Sequence, residues 1–441
     1  MLKLKKLTCW TAGMFLCQQS MAQKVEFTEY DMPNGLHVIL HQDHTAPVVA
    51  VSVMYHVGSK NEVIGRTGFA HFFEHLLFEG TDNIKRGEFM KIVAANGGEN
   101  NANTTQDRTF YYEVFPSNQF KLGLWLESER MLHPVINGIG VKTQNEVVKE
   151  EKRMRVDNKP YGNLISAIFK NIFPKHPYNW APIGSMADLD EAKLSEFQAF
   201  FKTYYVPNNA VLSIAGDINI SQARGLISTY FGEVPKSEPI KYTKVEEAPI
   251  TQQLVDTVYD ANIQLPMISA TYRVPGMDSR DSKILEMIST ILSNGASSKL
   301  YKKLVDDKKE ALQVGSFNYA LEDYGAYITY ALPNNNTPLH TLLQDIDEEV
   351  VKLQTNLISE TDYRKIQNQL EKNYISTNAK VLGVAENLAD GYTFHHKNTA
   401  YTNQEPEQIR SITREDIRNA AVKYLQPSFR LVLYYLPAKN S

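Results

Sequence analysis

Residues 68–80 read Gly68-Phe-Ala-His-Phe-Phe-Glu-His-Leu-Leu-Phe-Glu-Gly80, an apolar run interrupted by two histidines and two glutamates. The apolar residues and the flanking glycines predict a short buried helix. On such a helix His71 and His75 lie one turn apart on the same face, with Glu74 on the flank of that face. Unpaired polar side chains in a buried helix are costly, and a metal ion satisfies all three. The spacing therefore predicts that His71 and His75 bind one metal ion.

The chemistry of this residue set favours a hydrolytic zinc site. Two histidines and one carboxylate leave a coordination position for water, and the metal lowers the pKa of that water. Glu74 would take the proton of the water as general base and pass it to the leaving amine. The order His-x-x-Glu-His is the reverse of His-Glu-x-x-His and is typical of the inverted type of zinc peptidase. The bland alternative is a core helix with satisfied histidines.

The same segment, from Gly68 to Gly80, is similar to the zinc-site segment of the pitrilysin/insulinase family of peptidases. That resemblance implies a third zinc ligand on a later helix, and Glu151, 76 residues beyond His75, lies at the expected distance. The adjacent Glu150 is the rival. Val147 and Met154 favour Glu151, because we expect them to share its inward side. A solvated charged helix face is the usual interpretation of such a segment.

A second segment is similar to the family's substrate-binding stretch. Residues 101–112 read Asn-Ala-Asn-Thr-Thr-Gln-Asp-Arg-Thr-Phe-Tyr-Tyr. The resemblance implies that Asn101, Ala102, Asn103 and Thr104 form an edge strand that pairs with the substrate main chain, as unpaired strand edges do with extended peptides. An ordinary hairpin with a polar tip is the alternative.

The first 22 residues predict a secretory signal peptide. Three lysines precede an apolar run, and Ser20-Met21-Ala22 suits cleavage before Gln23. Both cysteines of the chain fall inside this segment, so the mature protein would have none. Removing its three lysines changes the net charge from −4 to −7. This charge gives no indication of a nucleic-acid groove, and we expect no membrane span in the mature chain.

An internal repeat divides the rest of the chain. Residues 194–207, which predict a helix and a tyrosine-rich turn ending in Pro207, precede a predicted strand, and residues 414–427 repeat this pattern with an offset of 220. Between the two copies, the segment from Pro235 to Pro249 breaks the apolar pattern with three prolines and several charges. The predicted fold class is α+β, with two homologous halves, each an antiparallel-rich sheet backed by helices. The resemblance extends over nearly the whole mature chain.

We accordingly predict four segments. They are a signal peptide (1–22), an N-terminal zinc-binding peptidase domain (23–235), a linker (236–250) and a homologous C-terminal domain without a metal site (251–441).

The second half departs from the family pattern. Residues 292–304 are similar to the family segment that precedes an Arg and a Tyr, which reach the substrate carbonyl region. The matching positions here are Val305 and Leu312, so the resemblance implies a second family subunit that supplies both groups, as in the two-subunit, processing-peptidase-like branch. Gln144 is another departure, since many members carry an acidic residue there that orients the metal ligands.

Taken together, these patterns predict an exported zinc endopeptidase, periplasmic or secreted, with one Zn²⁺ per chain. Its substrates would be peptides or unfolded polypeptide segments. His71, His75 and Glu151 would hold the metal, and Glu74 would be the base. The alternative is a non-catalytic peptide-binding or scaffold subunit of the same fold.

Overall fold

The computed structural model describes residues 24–438, so the signal peptide predicted for residues 1–22 lies outside the described residues. Two mixed sheets are present, with strand orders β1-β2-β6-β3-β5-β4 and β7-β11-β8-β10-β9. The strands of the first sheet are β1 (Thr28–Asp31), β2 (His37–Gln42), β3 (Val48–Tyr55), β4 (Glu99–Thr104), β5 (Thr109–Pro116) and β6 (Ala210–Gly216). Those of the second sheet are β7 (Leu254–Asp260), β8 (Met267–Pro275), β9 (Ala311–Ala320), β10 (Tyr324–Pro333) and β11 (Leu431–Pro437).

Fourteen α-helices lie within residues 24–438. Those of the first half are α1 (Phe69–Leu76), α2 (Phe89–Ala95), α3 (Phe120–Leu132), α4 (Gly138–Lys152), α5 (Leu164–Ile172), α6 (Met186–Glu191), α7 (Leu194–Tyr204) and α8 (Ile220–Phe231). Those of the second half are α9 (Arg280–Ser293), α10 (Leu339–Thr355), α11 (Glu360–Asn378), α12 (Val381–Phe394), α13 (Tyr401–Ser411) and α14 (Arg414–Tyr424). Within that range, no helix is both long and apolar enough to cross a bilayer.

The two sheets repeat one another, which confirms the predicted fold class. When β1 is left out, the strand orders correspond one to one, and each sheet has a single parallel pair, β2 with β6 and β7 with β11. The repeat read from the sequence falls on α7 and β6 in the first half and on α14 and β11 in the second. Between Phe231 and Leu254 the chain forms no helix or strand.

One helix of each half packs against the sheet of the other half. Helix α12 of the second half packs Val384, Ala385 and Leu388 against Ile39 and Met54 of the first sheet. In return, α5 of the first half packs against the second sheet, with the contacting residues Ile168, Phe169, Ile172, Ile328 and Leu433. Each of these helices buries apolar surface on the sheet of the opposite half. Both sheets are therefore fully covered only when the two halves are in contact.

Candidate metal centre

Helix α1 carries the predicted motif, and buried polar groups anchor its N-terminus. Gly68 precedes it with φ +94°, and a Cβ at this position would lie 2.9 Å from the main-chain oxygen of Ile183. The Glu62 carboxylate accepts hydrogen bonds from the main-chain N–H groups of Gly68 (2.8 Å) and Ala70 (2.9 Å). Trp180 Nε1 donates to the same carboxylate at 3.0 Å. Burial raises the pKa of Glu62 to about 8, so these three hydrogen bonds, and not a charge on the helix dipole, fix the start of α1 in place.

The apolar side of α1 fixes the rotation of the helix about its axis. Four of its residues are buried in the hydrophobic core of the first half, namely Phe69, Phe72, Phe73 and Leu76. The ring of Phe69 stacks on Phe197 of α7, with 4.4 Å between ring centroids. Because these side chains point into the core, His71 and His75 face α4 instead.

The two histidines meet a carboxylate from α4. Their ring centroids are 4.9 Å apart. The Nε2 atoms of His71 and His75 lie 3.5 Å and 2.9 Å from Oε2 of Glu151. The side chains of His71 and Glu151 are 10% and 12% exposed, and that of His75 is 24% exposed. Three potential ligand atoms thus converge on one point beside α1.

The structure brings Glu151, and not Glu150, to the histidines. The Glu150 side chain is 56% exposed and pairs with Arg153 on the outer surface. The expectation that Val147 and Met154 share the inward side of the helix with Glu151 is wrong, because both side chains are exposed. The inward face of α4 is marked by Val148, which is fully buried and lies three residues before Glu151.

Glu74 lies next to the same point but is held by another group. Its Oε2 accepts a hydrogen bond of 2.6 Å from the Thr104 hydroxyl on β4. Ligand atoms of His71, Glu74 and His75 lie within 4.8 Å of one another, and this is the one such His, Cys, Asp and Glu group in the described part of the chain. Two carboxylates therefore compete as the third ligand. We assign Glu151, because its Oε2 is near both imidazoles whereas Thr104 already binds Glu74.

These side chains fit a metal ion. His75 Nε2 and Glu151 Oε2 lie 2.9 Å apart, are buried and form no hydrogen bond among the described residues. His71 faces Glu151 through its Nε2, and its other ring nitrogen, Nδ1, is also buried without a partner among those residues. Buried polar atoms without partners are rare in folded proteins, because leaving them unpaired costs about 1–3 kcal/mol each. Two imidazole nitrogens and one carboxylate oxygen are donors that Zn²⁺ accepts in catalytic sites.

The electrostatic environment suits the metal-binding protonation states. Burial, reinforced by the charge of His75, lowers the pKa of His71 to about 4, so its imidazole is neutral at neutral pH. The nearby His75 lowers the pKa of Glu151. Burial raises the pKa of Glu74 despite its hydrogen bond from Thr104. The carboxylate beside the imidazoles thus favours its ionised form, whereas Glu74 has an increased affinity for a proton.

The four residues predicted to bind substrate lie at the end of β4, which is an edge strand of the first sheet. Asn101 and Asn103 are exposed, Thr104 is half-buried and Ala102 packs into the core. The N–H of Ala102 faces away from β5 and is bound by the side chain of Asn101 at 2.9 Å. Within residues 24–438, no main-chain hydrogen bond reaches the outer edge of β4.

The three departures from the family pattern lie at different places. Gln144 donates to the carboxylate of Glu79 on the segment that follows α1, and its own Oε1 is buried without a partner among the described residues. Val305 packs against the hydrophobic core of the second half. Leu312 lies on β9 with 52% of its surface exposed.

Sequence reasoning missed Arg155. Its guanidinium lies 2.7 Å from Oε1 of Glu151, the oxygen that faces away from the histidines. The spacing of four residues on a helix was a usable signal, since such pairs face one another. Glu62 was missed as well, because it reaches α1 across a loop.

Two segments of the chain match known protein families. Residues 37–179 match the family described as "Insulinase (Peptidase family M16)", and residues 192–370 match "Peptidase M16 inactive domain". The chain belongs to the M16 (insulinase) family of peptidases. The first match contains the His71 motif and Glu151, whereas the second covers α7 and much of the second half.

Relatives in several bacteria carry the name zinc protease. Zinc protease PqqE of Helicobacter pylori is 32% identical over 395 residues, which cover 88% of each chain. Zinc protease YmxG of Bacillus subtilis, called uncharacterized, is 24% identical over 369 residues, 80% of this chain and 85% of that protein. Both names describe the relatives as zinc proteases.

Solved structures show the same fold. A protease from H. pylori superposes with a TM-score of 0.88 at 30% identity, covering 93% of this chain and all of that one. The first half of the periplasmic protease PqqL from Escherichia coli gives 0.77 at 17% identity, covering 94% and 92% of the two chains. The latter likeness concerns the fold alone.

Proposed function

We propose that this M16 chain is an exported zinc endopeptidase that cleaves peptides or unfolded polypeptide segments. The observation that carries the proposal is the convergence of His71, His75 and Glu151 beside Glu74, which is itself bonded to the edge strand β4 through Thr104. The first three side chains would hold the metal. A bound zinc ion would polarise the scissile carbonyl and lower the pKa of the attacking water.

Glu74 performs the proton transfers in this proposal. Its carboxylate takes one proton as the water oxygen bonds to the carbonyl carbon, and it delivers that proton to the nitrogen when the C–N bond breaks. The Thr104 hydroxyl orients one carboxylate oxygen, so the other is free to face the water. Burial, which raises the pKa of Glu74, makes the carboxylate a better proton acceptor.

The substrate would lie extended along β4. The N–H groups of Ala102 and Thr104 alternate with those that pair with β5, so they face the open edge. Main-chain hydrogen bonds to this edge are largely independent of substrate side chains, which favours unfolded segments of varied sequence. Asn101 must release the N–H of Ala102 when a peptide pairs there.

Arg155 would position the third ligand. By binding Oε1 of Glu151, it leaves Oε2 directed at the two imidazoles. Carboxylate ligands are commonly oriented by such outer partners.

The test of the proposed chemistry is Glu74→Gln. We expect zinc content to stay at one per chain, while cleavage of a quenched fluorescent peptide falls by at least about 100-fold, as expected when a general base is removed. Glu150→Gln is the matched control, since Glu150 points to solvent on α4. Undiminished cleavage by Glu74→Gln would refute the role of Glu74.

A partner subunit and export complete the proposal. Val305 and Leu312 offer neither a cation nor a hydroxyl, which supports a second family subunit that supplies Arg and Tyr. Residues 1–22 support export, and the structural neighbour PqqL is described as periplasmic. A fully active monomer, measured by light scattering and peptide cleavage on the same sample, would contradict the partner. An uncleaved chain in the cytoplasm would contradict export.

A further inference from the structure

The turn between β4 and β5 connects the two halves. We call residues 105–108 the hairpin tip. Its inner side is fixed within the first half, where the main-chain N–H groups of Ser59 and Lys60 donate to the carbonyls of Thr105 (3.2 Å) and Gln106 (2.9 Å). Gly58 permits this approach, because a Cβ there would lie 2.4 Å from the main-chain carbon of Gln106.

The next residue of the hairpin tip, Asp107, is bonded to both halves. Its Oδ2 accepts the main-chain N–H of Glu322 from the second half at 2.9 Å. Its Oδ1 accepts the Tyr178 hydroxyl at 2.6 Å and lies 3.0 Å from Nζ of Lys60. The side chains of Asp107 and Lys60 are each 1% exposed. This buried joint fixes the base of the hairpin tip.

Arg108 extends the connection to the peptide edge itself. Its guanidinium donates to Oδ1 of Asn103 on β4 at 2.8 Å and to Oε1 of Glu386 on α12 at 2.5 Å. Its Nε lies 3.5 Å from Asp390, one turn further along α12. One side chain therefore joins the exposed strand of the first half to a helix of the second half.

Little else supports this side of the hairpin tip. A cavity of about 460 Å³ lies between the halves and is lined by Arg108, Asn318, Asp390 and Phe394, among others. The guanidinium carbon also lies 5.1 Å from the centre of the Phe110 ring. The hydrogen bonds to Asn103 and Glu386 are the polar contacts that join β4 to α12, and removing them gives β4 room to shift toward the cavity.

We propose that Arg108 is a positioning residue through which the metal-free half, by way of Glu386 and Asp390, holds β4 in the geometry that pairs with peptide. This inference rests on the proposed function in one respect, namely that β4 is the strand that binds peptide. It gives the second half a task in substrate binding that requires no catalytic group of its own.

The first test measures peptide binding without turnover. In the Glu74→Gln background, a fluorescein-labelled casein fragment is titrated and its anisotropy recorded for Arg108→Gln, Arg108→Lys and Glu386→Gln. Removing a charged hydrogen bond that couples two elements should weaken binding by about three- to tenfold. Arg108→Lys should retain part of the affinity, because it keeps the charge but not the fork of donors. Zinc affinity should stay unchanged in all three.

The matched control is Arg364→Gln. Arg364 is an exposed arginine that pairs with Glu360 within α11. This variant should leave peptide binding and zinc affinity as they are.

The second test does not depend on activity. Hydrogen exchange of the β4 amides that pair with β5, those of Asn101 and Asn103, should speed up in Glu386→Gln although the substitution lies in the other half. Asn103 and Glu386 are joined through Arg108, so the effects of Asn103→Ala and Glu386→Gln on exchange should be non-additive.

The two tests separate this inference from the proposed function. Faster exchange of β4 in a chain that neither binds nor cleaves peptide would uphold the coupling and refute the peptidase. Unchanged exchange and unchanged peptide affinity in Glu386→Gln and Arg108→Gln, in a chain that cleaves peptide, would overturn the coupling.

Discussion

The edge strands β4 and β9 occupy the same place in the two sheets, yet their outer edges make different contacts. On β9, the N–H of Ser316 donates to the hydroxyl of Ser293 at the end of α9 (2.7 Å), and the same hydroxyl donates to the carbonyl of Ser316 (2.9 Å). Helix α9 thereby occupies the edge of β9 at Ser316, whereas β4 carries Asn103 and Thr104 beside the proposed metal ligands. The difference fits the proposal that β4, and not β9, is the strand that binds peptide.

The helices that precede these edges differ in the same direction. Helix α1 contains His71, Glu74 and His75, whereas α9 contains no histidine and buries a nearly continuous apolar side. Polar ligands in a buried helix are costly unless a metal binds them. Where no metal is held, apolar residues in the equivalent helix give the more stable core.

The largest expected effect concerns the proposed metal ligands, which lie in the first half. Glu151→Gln should lower zinc affinity by more than about 100-fold, since even outer partners of a ligand are worth about 10- to 100-fold. Competition with a fluorescent chelator measures this. Glu150→Gln should bind zinc like the wild type. Equal affinities of the two variants would place the third ligand elsewhere.

The N-terminal anchors of α1 and α9 provide the next contrast. Glu62→Gln removes an acceptor from buried N–H donors and should lower the free energy of unfolding by about 2 kcal/mol. Ser279 caps α9 by accepting the N–H of Asp281, and Ser279→Ala should cost about 1 kcal/mol. Urea denaturation gives both values.

Zinc affinity distinguishes these two anchors further. It should fall in Glu62→Gln, because the start of α1 is released beside His71, and stay unchanged in Ser279→Ala. A loss of zinc affinity in Ser279→Ala would mean that the two helices are not independent in the way described here.

A smaller effect tests the edges directly. In the wild type the amide of Ser316 should exchange slowly with deuterium, and that of Thr104 rapidly until peptide is added. Ser293→Ala should expose the Ser316 amide at a cost of about 1 kcal/mol in the free energy of unfolding, and β4 should not change. Hydrogen exchange followed by mass spectrometry measures these rates. Protection of Ser316 by peptide would contradict the assignment of β4 as the binding edge.

An effect confined to acidic pH concerns the joint between the halves. Burial alone would raise the pKa of Asp323, but the hydrogen bond with His176 and the charge of Lys60 outweigh it and lower the pKa to about 2. The ionised carboxylate therefore stabilises the fold above its ordinary pKa of 3.8, and this contribution is lost as the pH falls from 3.8 to about 2. The stability difference between wild type and Asp323→Asn should shrink over that range in urea titrations. A constant difference would show that the carboxylate charge adds nothing.

Local patterns in the sequence predicted much of the fold and which side chains the structure brings together beside α1. The spacing of His71 and His75 fixes their common face, and the repeat at residues 194–207 and 414–427 revealed the two halves. The inward face of α4 was misjudged, because Val147 and Met154 are apolar residues that the fold leaves exposed. Apolar character predicts burial only on average.

The joint between the halves could not be predicted in this way. Lys60, Asp107 and Glu322 lie far apart in the sequence, and each alone resembles an ordinary surface charge. Their pairing depends on how α5 and α12 are exchanged between the sheets. Arg108 lies within the segment predicted to bind substrate, but no neighbouring residue in the sequence indicates that its partners lie on α12.

We propose that the first half of the chain holds the metal and that the second half does not. Diffraction data collected on both sides of the zinc absorption edge, from crystals of the zinc-loaded protein, test this directly. We expect one anomalous peak per chain, bound by Nε2 of His71, Nε2 of His75 and the carboxylate of Glu151, with Glu74 hydrogen-bonded to Thr104 nearby. A peak coordinated by Glu74 in place of Glu151, or a peak within the second half, would contradict the claim.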